Sequence, residues 1–467
     1  YRLVRRRFVR GSTGIPGFSV STRESAPLGI RLIVPGDEPR LNLGEQDLVI
    51  GTIRMGYGHY RMGLAIASCA RALGYQPLWL DYLGFPGSAT GNTIAGLEKL
   101  YSLGSRLSQR SRFFNRRIWE PITSRAALKL SYTLRDQAMG GVFAEVCAGI
   151  PDTVPYVATH PWTAHAAVAA GQKAVVNIIP DNFPLAFHVT PGAVHAVQTP
   201  SSYLGYRTFR EMGEGSKLPT PMPDEAIFLS GHYVDHELVS NIEVDCDLRE
   251  RRVRDKRPKR VLISMGGAGA QLDRFQSILE MLFAGMNEER VCVFLNLGDH
   301  QNRMAEMQPW LQQQGFPTTI HSDWAETQAF AEEAYRGNPS GLHVFISDDP
   351  FAAVYTTNLL MRPSDVMITK PSELSFYPIP KLFIQRVGRH EAWGALRGAE
   401  IGDGTLESAS IESARATLQL MLTDSDLLPQ YCASIRRNRI AGIYDGGYEV
   451  VRKAVRISAS ASVSSSQ

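Results

Sequence analysis

Two tandem doubly wound, Rossmann-like α/β domains facing a central cleft are the architecture this sequence predicts, and three observations carry it. Apolar runs without polar alternation recur through both halves: "DLVIGTI", "QPLWLDYL", "VPYVATH" and "KAVVNIIP", then "RVLIS", "VCVFLNLG", "HVFIS", "DVMITK" and "KLFIQ". Such runs suit strands covered on both faces of a parallel sheet. Helical periodicity separates them. Each half also opens with a glycine-rich stretch between a strand and a helix, "IRMGYGHYRMG" at 53–63 and "SMGGAGAQ" at 264–271. A chain of 467 residues exceeds one ordinary core.

Taken in order, residues 1–45 are basic, then rich in Gly and Pro, and read as an irregular arm. The first α/β domain spans 46–242, with a helix over 60–73 stopped by Gly74. Residues 243–260, "EVDCDLRERRVRDKRPKR", are charged and poor in apolar residues, as an interdomain linker would be. The second domain spans 261–455, and the low-complexity tail 456–467 is expected to be disordered. In doubly wound sheets, ligands bind at the carboxyl ends of the strands. Two such domains suit a two-substrate enzyme with one ligand in each.

Bulk properties narrow the class. A hydrophobic fraction of 44% and a charged fraction of 20% are those of a globular protein. The net charge of +3 does not by itself imply nucleic acid, and none is expected as a partner. No apolar run approaches the ~20 residues that cross a bilayer as a helix. The first twenty residues lack the apolar middle of a secretion signal. Five cysteines, Cys69, Cys147, Cys246, Cys292 and Cys432, are scattered singly without metal-ligand spacing. A reducing, cytoplasmic setting fits them.

The glycine turns carry the chemistry. Around Gly266, Gly267 and Gly269, backbone N–H groups and a helix start favour a phosphate or pyrophosphate. A tight turn that merely needs small residues accounts equally for the motif. No Gly-Lys-Ser/Thr follows, so it is not a Walker loop. The dinucleotide fingerprint fails too, because Leu272 and Arg61 fall where Gly or Ala belongs. Asp81, ending the second strand where a ribose-binding acid would sit, keeps a nicotinamide or flavin enzyme open. In the first turn, Gly56 and Gly58 precede His59. A helix N-terminus favours neutral imidazole, which can accept a proton from an attacking hydroxyl. An exposed capping histidine is the plainer alternative.

"GYGHYRMGLAIA" followed by "SMGGAGAQ" resembles the two-lobed glycosyltransferase fold called GT-B. The likeness is closest to the branch of the bacterial lipid-linked N-acetylglucosaminyltransferase of peptidoglycan synthesis and the monogalactosyldiacylglycerol synthases. It implies an acceptor loop at Gly56, Gly58 and His59. In "HVFISDD" it implies that Phe345 and Ile346 pack against the nucleotide base. In "DVMITKPSELSFYPIPKLFIQRVGRHEAWGA" it places Glu373 on the ribose hydroxyls and Ser372 beside the diphosphate. Gln385, Arg386, His390 and Glu391 then contact the donor sugar. A carboxylate can accept both ribose hydroxyls at once. Arg386, Arg389 and His390 could offset the diphosphate charge. Tyr57, Phe376 and Tyr377 stand where such relatives carry small residues, which motivates a non-catalytic nucleotide-binding protein as an alternative.

On the acceptor side, residues 101–129 interleave Arg106, Arg110, Arg112, Arg116, Arg117 and Arg125 with Phe113, Phe114 and Trp119. A solvated basic face or a helix lying on anionic headgroups both fit. The resemblance favours the membrane, with a lipid as the expected acceptor and peripheral attachment to the inner face. His160 and His165, five apart, do not share a helix face and do not suggest a metal site. Asp181 in "IIPDNFP" is placed to orient His59, to act as base, or to cap a turn, and His232 lies where the chain leaves the first domain. Together these readings predict a metal-independent inverting glycosyltransferase that needs no cofactor beyond a UDP-sugar co-substrate. A nucleotide-sugar 2-epimerase is the alternative within the fold.

Overall fold

The computed structural model describes residues 12–22, 27–54, 56–97, 130, 133–209, 212, 221–267, 269, 271–386 and 388–465. The chain divides into two compact units. The first runs to Tyr233 and resumes at Asp445; the second spans Val234–Tyr444.

The first unit holds an eight-stranded sheet. Its strands are β1 (Phe18–Thr22), β2 (Arg31–Pro35), β3 (Asp47–Thr52), β4 (Gln76–Asp81), β5 (Tyr156–Ala158), β6 (Val175–Ile178), β7 (Val194–Val197) and β8 (Ile227–Leu229). Their order is β1-β2-β4-β3-β5-β6-β7-β8. All neighbours run parallel except β1 and β2. The chain leaves β3 to one side for β4 and returns on the other side for β5, so the sheet's switch point lies between β3 and β5. Helices α1 (Gly58–Ala72), α2 (Thr133–Phe143), α3 (Pro161–Ala169) and α4 (Pro200–Arg207) are placed by the intervening segments. Two glycines set close approaches. A Cβ at Gly51 in β3 would lie 1.9 Å from the Tyr156 hydroxyl, and one at Gly63 in α1 would lie 2.7 Å from the Trp79 ring.

The second unit begins with α5 (His236–Ser240) and α6 (Ile242–Arg254). It continues through β9 (Lys259–Ser264), α7 (Leu272–Asn287), β10 (Val291–Asn296), α8 (Gln301–Gln314), β11 (Thr318–His321), α9 (Trp324–Arg336), β12 (Gly341–Phe345) and α10 (Pro350–Met361). Then come β13 (Val366–Thr369), β14 (Lys381–Phe383), α11 (Ala392–Ile401), β15 (Gly404–Glu407), α12 (Ile411–Thr423) and α13 (Leu427–Ile440). The seven strands are ordered β11-β12-β10-β9-β13-β14-β15, all parallel. The switch point here lies between β9 and β13. The doubly wound α/β reading of both halves is borne out.

Four expected boundaries are corrected. The arm 1–45 supplies β1 and β2, because Phe18 is buried against Gly149 and Phe85 and draws the segment onto the sheet. The expected linker 243–260 is α6 and the start of β9. Two of its arginines point inward: Arg249 Nε and Nη2 donate to the carbonyls of Ser364 and Met361, and Arg252 Nε donates to Asp365 at 2.8 Å. The acidic first turn and basic last turn of α6 also complement its dipole. The boundary between units therefore falls at 233/234, not at 243–260. The last helix, α14 (Gly446–Ser465), belongs to the first unit, where Val450, Val451 and Ala454 are buried. It carries helix into the expected disordered tail, as far as Ser465. There, Ser460 and Ser462 satisfy their hydroxyls on the carbonyls four residues back.

Candidate functional site

In the first unit, the turn after β3 lies at the switch point of the sheet. Gly56 has φ +85, a left-handed conformation that glycine supplies without strain, and a Cβ there would meet nothing within 4 Å. Backbone at this point can be closely approached. No side chain caps the start of α1. His59 is half-buried one residue into α1. Its Nδ1 lies 2.6 Å from the carbonyl oxygen of Thr159, immediately after β5. A carbonyl only accepts, so Nδ1 bears the proton, and neutral imidazole then carries its lone pair on Nε2.

His59 adjoins a cluster of histidine and aromatic rings through His160. His160 sits 4.8 Å from it, ring to ring, in an edge contact. Its Nδ1 accepts the Trp162 N–H at 3.1 Å, which caps α3 and leaves Nε2 as the protonated nitrogen of the neutral ring. Burial holds His160 well below the usual histidine range, and the imidazoles of His59, His188 and His165 push the same way. Trp162 and Phe187 pack on His160 at 5.0 and 5.5 Å, and both rings are half-buried. Asp181, expected to orient His59, to act as base or to cap a turn, bonds His188 Nε2 at 3.3 Å. The strand β6 explains this: Asn177 holds the His188 carbonyl at 2.8 Å and so brings that ring back over the strand end. His160 and His188 are site residues that sequence spacing did not single out for a role. His165 lies on the buried face of α3, and burial lowers it to about 4. Buried His232 is the last turn before the unit boundary, where its carbonyl accepts from Gly446 N.

Asp81 is occupied elsewhere. It accepts from the Tyr60 hydroxyl and from Leu83 N, and burial raises its pKa. A carboxylate spent on the fold in this way does not read a ribose, which weighs against a dinucleotide in this unit. Tyr57, expected to narrow the space above the turn, is buried.

In the second unit, the glycine turn follows β9 and again meets the switch point. Gly269 N bonds Gly266 O at 2.9 Å, closing the turn, and Gly269 has φ +61. The turn rests on His300, whose Nε2 reaches Gly266 O at 3.1 Å. Gly267 lies in the same turn. The start of α7 is not capped by a side chain, and its N-cap residue Gln271 is left-handed. Across the switch point, β13 ends at Thr369 and leads to Lys370. The stem of Lys370 lies over Gly266: a Cβ there would come within 2.9 Å of the lysine Cε. Ser372 is half-buried and its N–H bonds Lys370 O at 2.8 Å. Glu373 is half-buried at the start of a short 3-10 turn, and among the described residues its carboxylate has no hydrogen bond.

Several expected donor contacts are corrected. Phe345 and Ile346 are 1% and 6% exposed. The Phe345 ring stacks on His321 at 4.6 Å, and Ile346 joins the core of the unit. Neither side chain is offered to a base, because the end of β12 is covered on both faces. Phe376 and Tyr377 are likewise buried, with the Tyr377 hydroxyl on Asp235. Arg386 is spent on Glu407, through its side chain at 2.8 Å and its N–H at 3.0 Å. Gln385 is tied down by Gln271 and Arg274. Glu391 pairs with Lys370 and accepts from Gly388 N at 3.1 Å. His390 is half-buried against Gly388. The basic segment 101–129 lies outside the described residues.

Among the described residues no three His, Cys, Asp or Glu side chains are grouped to hold a metal ion, and no helix is long and apolar enough to cross a membrane. The fold and sites define an α/β protein of two doubly wound units, each with a glycine turn at its switch point. The chain belongs to the family described as Domain of unknown function (DUF6938), whose model matches residues 222–455. A second model, Domain of unknown function (DUF6937), matches residues 18–208. No curated protein matches the chain. Among solved structures it is similar to α,α-trehalose 6-phosphate synthase from Burkholderia multivorans, at 12% identity and a TM-score of 0.40, covering 90% of this chain and 99% of that one. It is similar to a glycosyltransferase from Rickettsia africae, at 11% identity and a TM-score of 0.41, covering 89% and 98%. UDP-GlcNAc 2-epimerase from Neisseria meningitidis, bound to UDP-GlcNAc, is matched at 10% identity and a TM-score of 0.44, covering 90% and 100%. Likenesses this distant carry no argument about activity.

Proposed function

We propose that the chain is a glycosyltransferase that moves a sugar from a UDP-sugar to a hydroxyl acceptor with inversion. One observation carries this reading. At the first unit's switch point, a histidine has Nδ1 fixed on a backbone carbonyl and Nε2 left as a proton acceptor, beside a glycine turn open to close approach. The second unit repeats the glycine turn at its own switch point, with Lys370, Ser372 and Glu373 at the end of the adjoining strand. This is the chemistry that binds a diphosphate and a ribose.

In this mechanism, the Gly266–Gly269 turn and Lys370 hold the diphosphate, and Glu373 accepts the ribose hydroxyls. His59 Nε2 takes the proton of the acceptor hydroxyl as its oxygen attacks the anomeric carbon. The bond to the diphosphate breaks and UDP leaves, its charge offset by the turn and the lysine. The carbonyl of Thr159 stabilises the imidazolium that forms, in the role a carboxylate plays elsewhere. The resemblance of the glycine and "TKPSELS" motifs to GT-B enzymes supports UDP as the nucleotide. A lipid acceptor rests on the basic aromatic segment 101–129.

The test is incubation with a panel of UDP-sugars, with and without hydroxyl acceptors, followed by detection of free UDP and of sugar products. Acceptor-dependent UDP release supports the reading. An epimerised UDP-sugar without any acceptor replaces it with 2-epimerisation, and no binding of any nucleotide sugar overturns both.

A further inference from the structure

We propose that the Glu391 carboxylate competes with the donor's diphosphate for the same two partners, Lys370 and the Gly388 N–H, so that donor binding expels it. The inference rests on the nucleotide-sugar reading above and adds a regulatory element to that site.

Lys370 follows β13 at the switch point, and its stem lies across the Gly266 turn. Among the described side chains near this sheet end, Arg386 is committed to Glu407 and Arg274 to Gln385. Lys370 is therefore the ammonium that an anion on the glycine turn would meet.

Glu391 already meets it. One carboxylate oxygen pairs with Lys370 Nζ, and the other accepts from Gly388 N at 3.1 Å. The pair is well covered, with the glutamate side chain 8% exposed and the lysine 21%. An ammonium and a backbone N–H are what a phosphate oxygen seeks, and carboxylate and phosphate read such donors alike. Covering an ion pair costs desolvation of both charges, so such a pair is weak evidence for stability alone. Exchange of one anion for the other explains it. Lys370 stays compensated throughout, and only the released carboxylate has to reach water.

The exchange would also release a backbone N–H. Glu391 closes a short 3-10 turn, Arg389–Glu391, directly before α11. Gly388 opens that segment, and Gln385 anchors its other end to Gln271 beside the glycine turn. Releasing the Glu391 carboxylate removes its hold on Gly388 N, while the backbone bond from Glu391 N to Gly388 O at 3.2 Å and the anchor at Gln385 remain. The resemblance had placed Glu391 on the donor sugar; in this account it acts first on the diphosphate's site.

The experiment is calorimetric titration of UDP, and separately of inorganic pyrophosphate, into the wild type, Glu391→Gln, Lys370→Met and Lys370→Arg, with melting curves for each. Glu391→Gln should bind both ligands about tenfold more tightly, because the competing charge is gone. Lys370→Met should lose both ligands, and Lys370→Arg should keep them. Unchanged or weaker binding of both ligands by a folded Glu391→Gln overturns the competition. If that variant gains pyrophosphate but no protein binds UDP, the competition stands and the nucleotide reading falls. If UDP binds equally to both, the reverse holds. If neither ligand binds any variant, both fall. Should Glu391→Gln melt below the working temperature, Glu391→Ala at reduced temperature gives the same comparison.

Discussion

His59 Nδ1 lies 2.6 Å from the carbonyl oxygen of Thr159, one hundred residues along the chain. Thr159 directly follows β5, and His59 lies at the start of the helix that follows the adjacent parallel strand β3, so the sheet's switch point brings them together. The contact fixes the ring's tautomer, with the proton on Nδ1 and the lone pair on Nε2.

Replacement of His59 by Ala should therefore lower turnover by roughly 10²- to 10⁴-fold, the usual range for a lost general base. UDP affinity, measured by calorimetry, should change little, since His59 and the proposed nucleotide site belong to different units. His59→Asn keeps a donor near Thr159 but supplies no base, so it should be as inactive as His59→Ala. Turnover within a few-fold of wild type in either variant would remove His59 from the role.

Glu373→Gln tests the ribose contact. Hydrogen bonds to a charged group are worth about 1.5–3 kcal/mol. UDP affinity should fall by roughly ten- to a hundredfold, with pyrophosphate affinity preserved. Equal binding of UDP by the variant would end the assignment.

The doubly wound units and the glycine turns were legible because buried parallel strands leave uninterrupted apolar runs and strand–helix turns need glycine. The boundary was not, because composition does not say where charges point. Arg249 and Arg252 read as solvated, yet they face inward onto Ser364 O, Met361 O and Asp365. His188 was missed because its link to Asp181 depends on how Asn177 folds the following segment back. Phe345 matched a ligand-packing motif, but a strand end covered on both faces buries it regardless.

The buried histidines predict a pH dependence. Burial lowers His165 and His195 to about 4, and holds His160 well below the usual range. Their folded values lie below the unfolded value near 6.5, so between these pH limits the unfolded chain binds more protons. Stability is then complete above about pH 6.5 and is lost as pH falls toward 4, by up to roughly 3 kcal/mol for a histidine shifted from 6.5 to about 4. Denaturant melts from pH 7.5 to 4.5 should show midpoints falling through this window. In His165→Phe, which removes a buried Nε2 that has no hydrogen-bond partner, the slope should be shallower. A slope identical to wild type would assign the loss to other groups.

The second unit contains a buried ion pair whose loss separates stability from function. Lys381 Nζ lies 2.8 Å from Asp403 Oδ1, and both side chains are fully buried. Asp403 also accepts from the Tyr444 hydroxyl at 2.7 Å, and Lys381 donates to the carbonyls of Tyr377 and Ile379. Burial raises the carboxyl and lowers the amine, while their mutual attraction opposes both shifts. The pair opens β14, at the strand's amino end, whereas ligand chemistry belongs to the carboxyl ends. Asp403→Ala leaves a buried ammonium without its counter-charge and should cost about 3–5 kcal/mol in equilibrium unfolding. Lys381→Met with Asp403→Leu removes both charges and should recover most of that loss. UDP affinity in the folded double variant should match the wild type. A double variant no more stable than Asp403→Ala would mean that the network's hydrogen bonds, rather than its charge balance, hold this end of the sheet.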